Sequence, residues 1–300
     1  GYHGMTSGAL SLMGNLGSKS QIPGFTQNVQ FLPYPSVFRS PLGDGMDEEC
    51  RESIRYIERL LHDDESGVPK PAGIIIEAIQ GEGGKFVAPP SWLRELRRIT
   101  LEHDIPLILD EIQSGFGRTG KMFAFEHAGI IPDVVLLSKA IGGSLPLAIV
   151  VYNKKYDIWG PGSHAGTFRG NQLAMAAGTE TINYIRDHHL PERAADLGDR
   201  LMEKLRGLQS TEPCIGDVRG LGLMLGVEIN KTSGPKVGGH LPHDKQRARA
   251  IQRECFMRGL VIETGGRHTS VLRFMPPLIA TQEDIDNIFL IFKAAVTATA

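Results

Sequence analysis

Two stretches decide how this chain folds: Pro106-Leu-Ile-Leu-Asp110-Glu-Ile-Gln113 and Pro132-Asp-Val-Val-Leu-Leu-Ser-Lys139. Each is a short apolar run that stops at an ionisable side chain, the pattern by which a buried parallel strand delivers a side chain to the open end of a sheet. Between them lie Gly115, Gly117 and Gly120 and the mixed stretch 122–129, enough chain for a right-handed crossover between neighbouring parallel strands. Asp110 and Lys139 are therefore expected to face one crevice at the carboxyl edge of the sheet, where open α/β folds hold their ligands.

Upstream, Ala72 to Ala78 reads as another buried strand with Glu77 near its end, followed by the turn Gln80-Gly-Glu82-Gly-Gly84. Residues 91–104 form an amphipathic helix with Trp92, Leu93, Leu96 and Ile99 inward. Met46, Cys50, Ile54, Ile57 and Leu61 recur at helical spacing. Val29 to Tyr34 reads as a strand, before a loop punctuated by Pro35, Pro41 and Gly43. Downstream come a Gly142-Gly143 turn, a strand Leu147 to Tyr152, a Gly-rich loop holding Thr167, and a helix to His188. Leu190-Pro191 reads as a boundary, dividing a large domain with a mostly parallel sheet (1–190) from a smaller C-terminal α/β domain (191–300). The latter is expected to hold a helix to about Leu208, a strand Gly222 to Ile229, a helix to Arg258 and a strand Leu272 to Met275. Its last helix is capped by Thr281-x-x-Asp284.

At 300 residues, 41% hydrophobic and 22% charged, the composition is that of a globular chain with material for one large core and one smaller. A net charge of -2 and the lack of a basic run point away from nucleic acid and anionic membranes. Cys50, Cys214 and Cys255 have neither paired nor C-x-x-C spacing, so no disulfide framework and no zinc site is expected. His240 and His243 lack carboxylates at ligand spacing, and no metal is expected there. With no apolar run of spanning length and no signal peptide, a reducing cytoplasm is the expected location.

Gly115-Phe-Gly117-Arg-Thr-Gly120 matches the dinucleotide fingerprint, yet its first Gly lies five residues past the strand end and the segment after Gly120 is too short for the usual phosphate-binding helix. A surface loop, or a loop at the crevice mouth exposing Arg118 to substrate, are the other readings. Asp110 with Lys139 is compatible with a structural ion pair. It also suits pyridoxal phosphate, whose aldehyde takes a Lys amine and whose ring needs a carboxylate at its nitrogen. Gln113 within reach of the ring oxygen, Tyr2 as a stacking face and Thr167 as a phosphate contact favour the second reading.

Tyr2-His-Gly4, Glu77-Ala-Ile-Gln-Gly-Glu82-Gly-Gly, Asp110-Glu-Ile-Gln113, Ser138-Lys-Ala140 and Gly166-Thr-Phe168 together resemble the class III pyridoxal-phosphate aminotransferases of fold type I, over essentially the whole chain. Three segments, Leu12 to Ser18, Gly115 to His127 and Gly166 to Gln172, are most similar to the members of that class that use diaminobutyrate and 2-oxoglutarate. The resemblance implies that Lys139 forms the Schiff base and shuttles the proton, Asp110 meets the pyridinium, Gln113 the phenolic oxygen and Tyr2 the ring. It also implies that Thr167 reaches the phosphate of the partner subunit in a homodimer with shared sites. Arg273 would hold the α-carboxylate of 2-oxoglutarate or glutamate, with Glu82 as a switch that pairs with it. The implied substrates are a small amino acid and a 2-oxo acid. Another ω-amine such as ornithine or 4-aminobutyrate, an aminomutase, or an inactive dimerisation partner are the alternatives. Two departures stand out. The N-terminal part of the family fold, which precedes Tyr-His-Gly, is absent, and a chain that physically begins at Gly1 is expected to bind phosphate incompletely. Relatives acting on 4-aminobutyrate and ornithine usually carry an Arg where this chain has Met5, which cannot hold the distal carboxylate of 2-oxoglutarate.

Overall fold

The computed structural model describes residues 1–20, 22, 28–36, 38–39, 42, 45–236 and 239–299. The expected loop residues Pro41 and Gly43 lie outside them. In chain order the elements are α1 (Ser7–Ser11), α2 (Leu16–Lys19), α3 (Met46–His62), β1 (Ile74–Ile76), α4 (Pro90–Glu102), β2 (Leu107–Asp110), β3 (Val134–Leu137), β4 (Ile149–Tyr152), α5 (Gln172–Asp187) and α6 (Leu190–Gln209). They continue with β5 (Ile215–Leu221), β6 (Met224–Ile229), α7 (Lys245–Met257), β7 (Glu263–Gly265), β8 (Val271–Phe274) and α8 (Gln282–Ala298).

The first sheet has the order β1-β2-β3-β4, with β1, β2 and β3 parallel and β4 antiparallel on the edge. Leu107 and Leu109 of β2 are wholly buried beneath Trp92, Leu93, Leu96 and Ile99 of α4 and Ile54 and Ile57 of α3. The helical spacing of those residues is what puts them on one face. Local signals agree: Pro90 opens α4 in its first turn, and α3 begins with Asp47, Glu48 and Glu49 and ends with Arg59 and His62, matching the helix dipole.

The second sheet is antiparallel throughout, in the order β5-β6-β8-β7. Leu201, Leu205, Ile251, Ile285 and Phe292 from α6, α7 and α8 pack on Leu225, Val227 and Leu272 in a separate cluster. The expected capping box is present: the Thr281 hydroxyl accepts from the Asp284 N–H (3.1 Å), and the Asp284 carboxylate accepts from the Thr281 N–H (2.7 Å).

Two expectations need correction. Residues 29–34 form no strand: Leu32 and Tyr34 pack on the first cluster, and the Tyr34 hydroxyl lies 3.0 Å from the Ala78 carbonyl oxygen, so side chains and not a ladder hold the segment. Conversely, β5 was not expected. It holds Gly216 and Gly220, and a Cβ on them would sit 1.9 Å from Asn230 Nδ2 and 2.1 Å from the Met224 carbonyl oxygen respectively. At Gly220, where the neighbour is backbone, the close approach demands glycine inside this strand.

Candidate active site

Asp110 ends β2 opposite Leu136 of β3, and Lys139 follows β3 by two residues, so both stand at the carboxyl edge of the parallel strands. Asp110 is buried; its Oδ1 accepts the Ile112 N–H (3.0 Å) and its Oδ2 lies 2.8 Å from Nδ1 of the buried His3 side chain. An ionised carboxylate only accepts, so the imidazole proton belongs on Nδ1. Lys139 opens a 3-10 turn (Lys139–Gly142) with φ of 52°, a left-handed conformation that costs a side-chain-bearing residue roughly 1–2 kcal/mol. It is exposed, and among the described residues its amine has no hydrogen-bond or ion-pair partner. The structural ion pair considered for Asp110 and Lys139 is not formed: Asp110 pairs with His3 and leaves the amine free.

Gln113 reaches back over the turn after β1. A Cβ on Gly81 would lie 2.4 Å from Gln113 Oε1, so only glycine allows this approach. That oxygen accepts from Lys85 Nζ at 2.7 Å. Glu77, buried at the end of β1, accepts the N–H groups of Gly81 (2.9 Å) and Tyr2 (3.3 Å), tying the Tyr-His-Gly segment to the same turn. Its place is thus beside the site, holding backbone.

The arginine comes from the second sheet. Arg273 in β8 is buried, yet its Nη1 donates to Glu82 of the turn and its Nη2 to Glu263 of β7 at 2.5 Å, while Nε is buried without a partner. Glu82 and Arg273, 191 residues apart, are thus in contact. Glu263, largely exposed, is an addition: the short strand β7 had no hydrophobic pattern to announce it.

A family model, aminotransferase class-III, matches residues 1–296. The chain belongs to the class III aminotransferases. The diaminobutyrate–2-oxoglutarate aminotransferase of Rhizobium meliloti (strain 1021) is 53% identical over 288 residues, 96% of this chain and 61% of that protein. Its namesake from Haemophilus influenzae is 46% identical over 297 residues, 99% of this chain and 65% of that one. The chain therefore spans less than two thirds of the length of these relatives. Among solved structures, an amine transaminase from an uncultivated Pseudomonas species in its PLP-bound form superposes with a TM-score of 0.90 at 26% identity, over 100% of this chain and 68% of that one. An ornithine aminotransferase from Toxoplasma gondii superposes with a TM-score of 0.83 at 27% identity, over 99% of this chain and 62% of that one.

Other features of this class III aminotransferase lie apart from the cluster. Thr167 is exposed on the loop before α5, and among the described residues no hydrogen bond ties its side chain to the residues above. The loop 115–120 is neither a surface loop nor a crevice mouth. Phe116 and Thr119 are buried, Arg118 donates to the Pro276 carbonyl oxygen, and burial lowers its guanidinium to about 10. The loop is a seam against the second sheet, where the Leu223 N–H donates to the Arg118 carbonyl oxygen at 3.0 Å. His243 meets the buried Glu228 at 3.0 Å, which Arg219 also contacts at 2.9 Å. Among the described residues no group of His, Cys, Asp and Glu is placed to hold a metal ion, and no helix is long and apolar enough to cross a membrane.

Glu111, next to Asp110 in sequence, points the other way into the core, where it accepts from the Ser114 hydroxyl (2.6 Å) and the Phe125 N–H (3.0 Å). Burial raises its carboxyl from 4.5 to about 7 despite these hydrogen bonds. Between those two values the folded state binds the proton more tightly than the unfolded chain, so stability falls as pH rises through this window. Glu111→Gln keeps the shape and removes the ionisation. It is expected to flatten that dependence and to add about 1–3 kcal/mol at pH 8. Urea unfolding at pH 5 and pH 8 reads the difference, and equal losses at both pH values would refute it.

Proposed function

We propose that this class III aminotransferase moves the terminal amino group of L-2,4-diaminobutyrate to 2-oxoglutarate by a ping-pong route. It would act as a cytoplasmic homodimer with shared sites, carrying pyridoxal phosphate. The donor set fits that cofactor: an exposed, unpartnered amine, a buried carboxylate at the neighbouring strand end, and a side-chain amide held against Gly81. When bound, the cofactor supplies an aldehyde for the amine and a ring that takes up electron density from the carbon that loses its proton. Lys139 would anchor it and move that proton, and Asp110, oriented by His3, would keep the ring nitrogen protonated. Gln113 would face the phenolic oxygen, Tyr2 the ring, and Thr167 the phosphate in the partner subunit's site. The clusters around the first and second sheets, which share no buried residue, support a division into a cofactor domain (1–190) and a smaller C-terminal domain (191–300), with a third cluster around Phe116, Ile141 and Leu190 lying where Leu278 packs across the boundary.

The observation that carries the choice of substrates is the contact between Glu82 and Arg273. One pocket must admit a diamine by its terminal amine and then a 2-oxo acid by its α-carboxylate. A buried guanidinium is a bidentate partner for the carboxylate. Left unpaired, it would oppose the cationic donor. Glu82 sits in the turn 81–84 and neutralises it, then yields to substrate. The relatives' names supply the donor, diaminobutyrate. Glu82→Ala should slow the half-reaction with the diamine by about tenfold or more. The half-reaction with glutamate should survive, because the exposed Glu263 is a weak competitor for the guanidinium. Single-turnover absorbance of each half-reaction decides, and equal losses in both would rule out the switch. A screen of amino donors against 2-oxoglutarate tests the donor itself: a preference for ornithine or 4-aminobutyrate would overturn it.

A further inference from the structure

The roles above leave Lys85 unused. It follows Gly84 with φ of 62° and is fully buried. Its stem passes over Gly226 of β6, where a Cβ would sit 3.1 Å from both Lys85 Cβ and Cγ, so the glycine opens the path. At its end Nζ donates to Gln113 Oε1 at 2.7 Å and lies 3.1 Å from Met275 Sδ. Among the described residues no carboxylate is within ion-pair distance of it. The charged groups that face it are Arg273 from β8 and Lys139 after β3, which oppose its charge, and Glu82 and Glu77 from the turn after β1, which favour it. With burial, the largest influence, they leave its amine at about 7.

A side-chain amide has two unlike ends, and which one faces a ligand has to be set by its neighbours. In the contact seen, Nζ donates to the oxygen of Gln113, and the protonated amine, the form held below about pH 7, can only donate and so selects that end. Nε2 is then the free end, and among the described residues it has no partner. We propose that Lys85 is a positioning residue that locks the amide of Gln113 with its N–H end available to the phenolic oxygen of pyridoxal phosphate. The proposal rests on the cofactor reading above. A locked donor favours the ionised phenolic oxygen and so weakens the hold on the proton shared with the lysine nitrogen. A freely turning amide would spend part of its time presenting an oxygen, which repels.

The test is an absorbance titration of the cofactor-loaded protein, with thermal melting of the cofactor-free protein beside it. In Lys85→Met the pH midpoint of the visible band should rise by about one, a tenfold change in proton affinity. Gln113→Met should raise it comparably, and the double variant no further, because the two residues act through one contact. The cofactor-free Lys85→Met protein should melt no lower than wild type, since an apolar side chain of similar length replaces a buried amine without a carboxylate partner. A residue that served packing alone would show the reverse, a lower melting temperature and an unmoved midpoint, and that result overturns the proposal. Shifts that add in the double variant also overturn it. Should Lys85→Met fold poorly, Lys85→Arg keeps a side chain that can only donate: it should stay near the wild-type midpoint, and a midpoint as high as that of Gln113→Met counts against the role. Wild-type protein that takes up no pyridoxal phosphate overturns the cofactor reading and this one with it, whereas normal uptake with an unmoved midpoint overturns only the role of Lys85.

Discussion

Lys139→Ala is expected to abolish turnover, by more than about 10⁴-fold, because one amine is asked both to anchor the cofactor and to move the proton, and proton transfer by a positioned side chain alone is worth about 10²–10⁴. The cofactor should still bind without a covalent link, through Asp110, Gln113 and Tyr2. The structure offers one rival amine, Lys85, whose charge interacts with Lys139 and whose Nζ lies beside Gln113. It is fully buried and committed to the Gln113 oxygen, while Lys139 is exposed and unpartnered. Reducing the loaded protein with borohydride and mapping the peptides separates them. A pyridoxyl group recovered on Lys85, or on any lysine other than Lys139, would refute the assignment.

How much of this was legible in the sequence depends on where each signal resides. Asp110 and Lys139 could be placed together because each ends a continuous apolar run, and such runs become buried parallel strands whatever surrounds them. The Glu82–Arg273 contact joins two sheets and could be foreseen only through the family resemblance, since no local pattern spans 191 residues. The features that escaped notice are those in which tertiary packing overrides a residue's usual preference. The glycines of β5 carry no apolar strand pattern, yet a Cβ would lie 1.9 Å from Asn230 Nδ2 at Gly216 and 2.1 Å from the Met224 carbonyl oxygen at Gly220. The loop 115–120 looks exposed, yet Gly222 lets its backbone pack so closely that a Cβ there would lie 2.6 Å from the Thr119 carbonyl carbon. Lys85 looks like a surface lysine and is wholly buried. His3 lies in the Tyr-His-Gly segment, but its contact with Asp110 crosses 107 residues and leaves no periodic trace.

Asp110→Asn isolates the second large effect, since it preserves shape and burial and removes charge. The ionised carboxylate has two accepting oxygens: one takes the Ile112 N–H, and the other meets His3 Nδ1. That His3 contact fixes the face of the carboxylate and supplies a donor that stabilises its charge. An asparagine can satisfy the Ile112 N–H through its oxygen, but its NH₂ group then meets an imidazole whose tautomer must change to accept. The backbone therefore keeps its partner and the fold should survive, with a melting temperature close to wild type in the absence of cofactor. What is lost is the negative charge that would keep the pyridine nitrogen protonated, and with it the preorganised stabilisation of developing charge, usually the largest single catalytic contribution. The expected loss of turnover is about 10³-fold or more, with cofactor still bound. His3→Phe, which keeps the carboxylate and removes its donor, should lose much less, because His3 acts only through Asp110. Near-normal turnover in Asp110→Asn would make the carboxylate a structural end-cap of β2, and a His3→Phe defect as deep as that of Asp110→Asn would mean that the histidine has a task of its own.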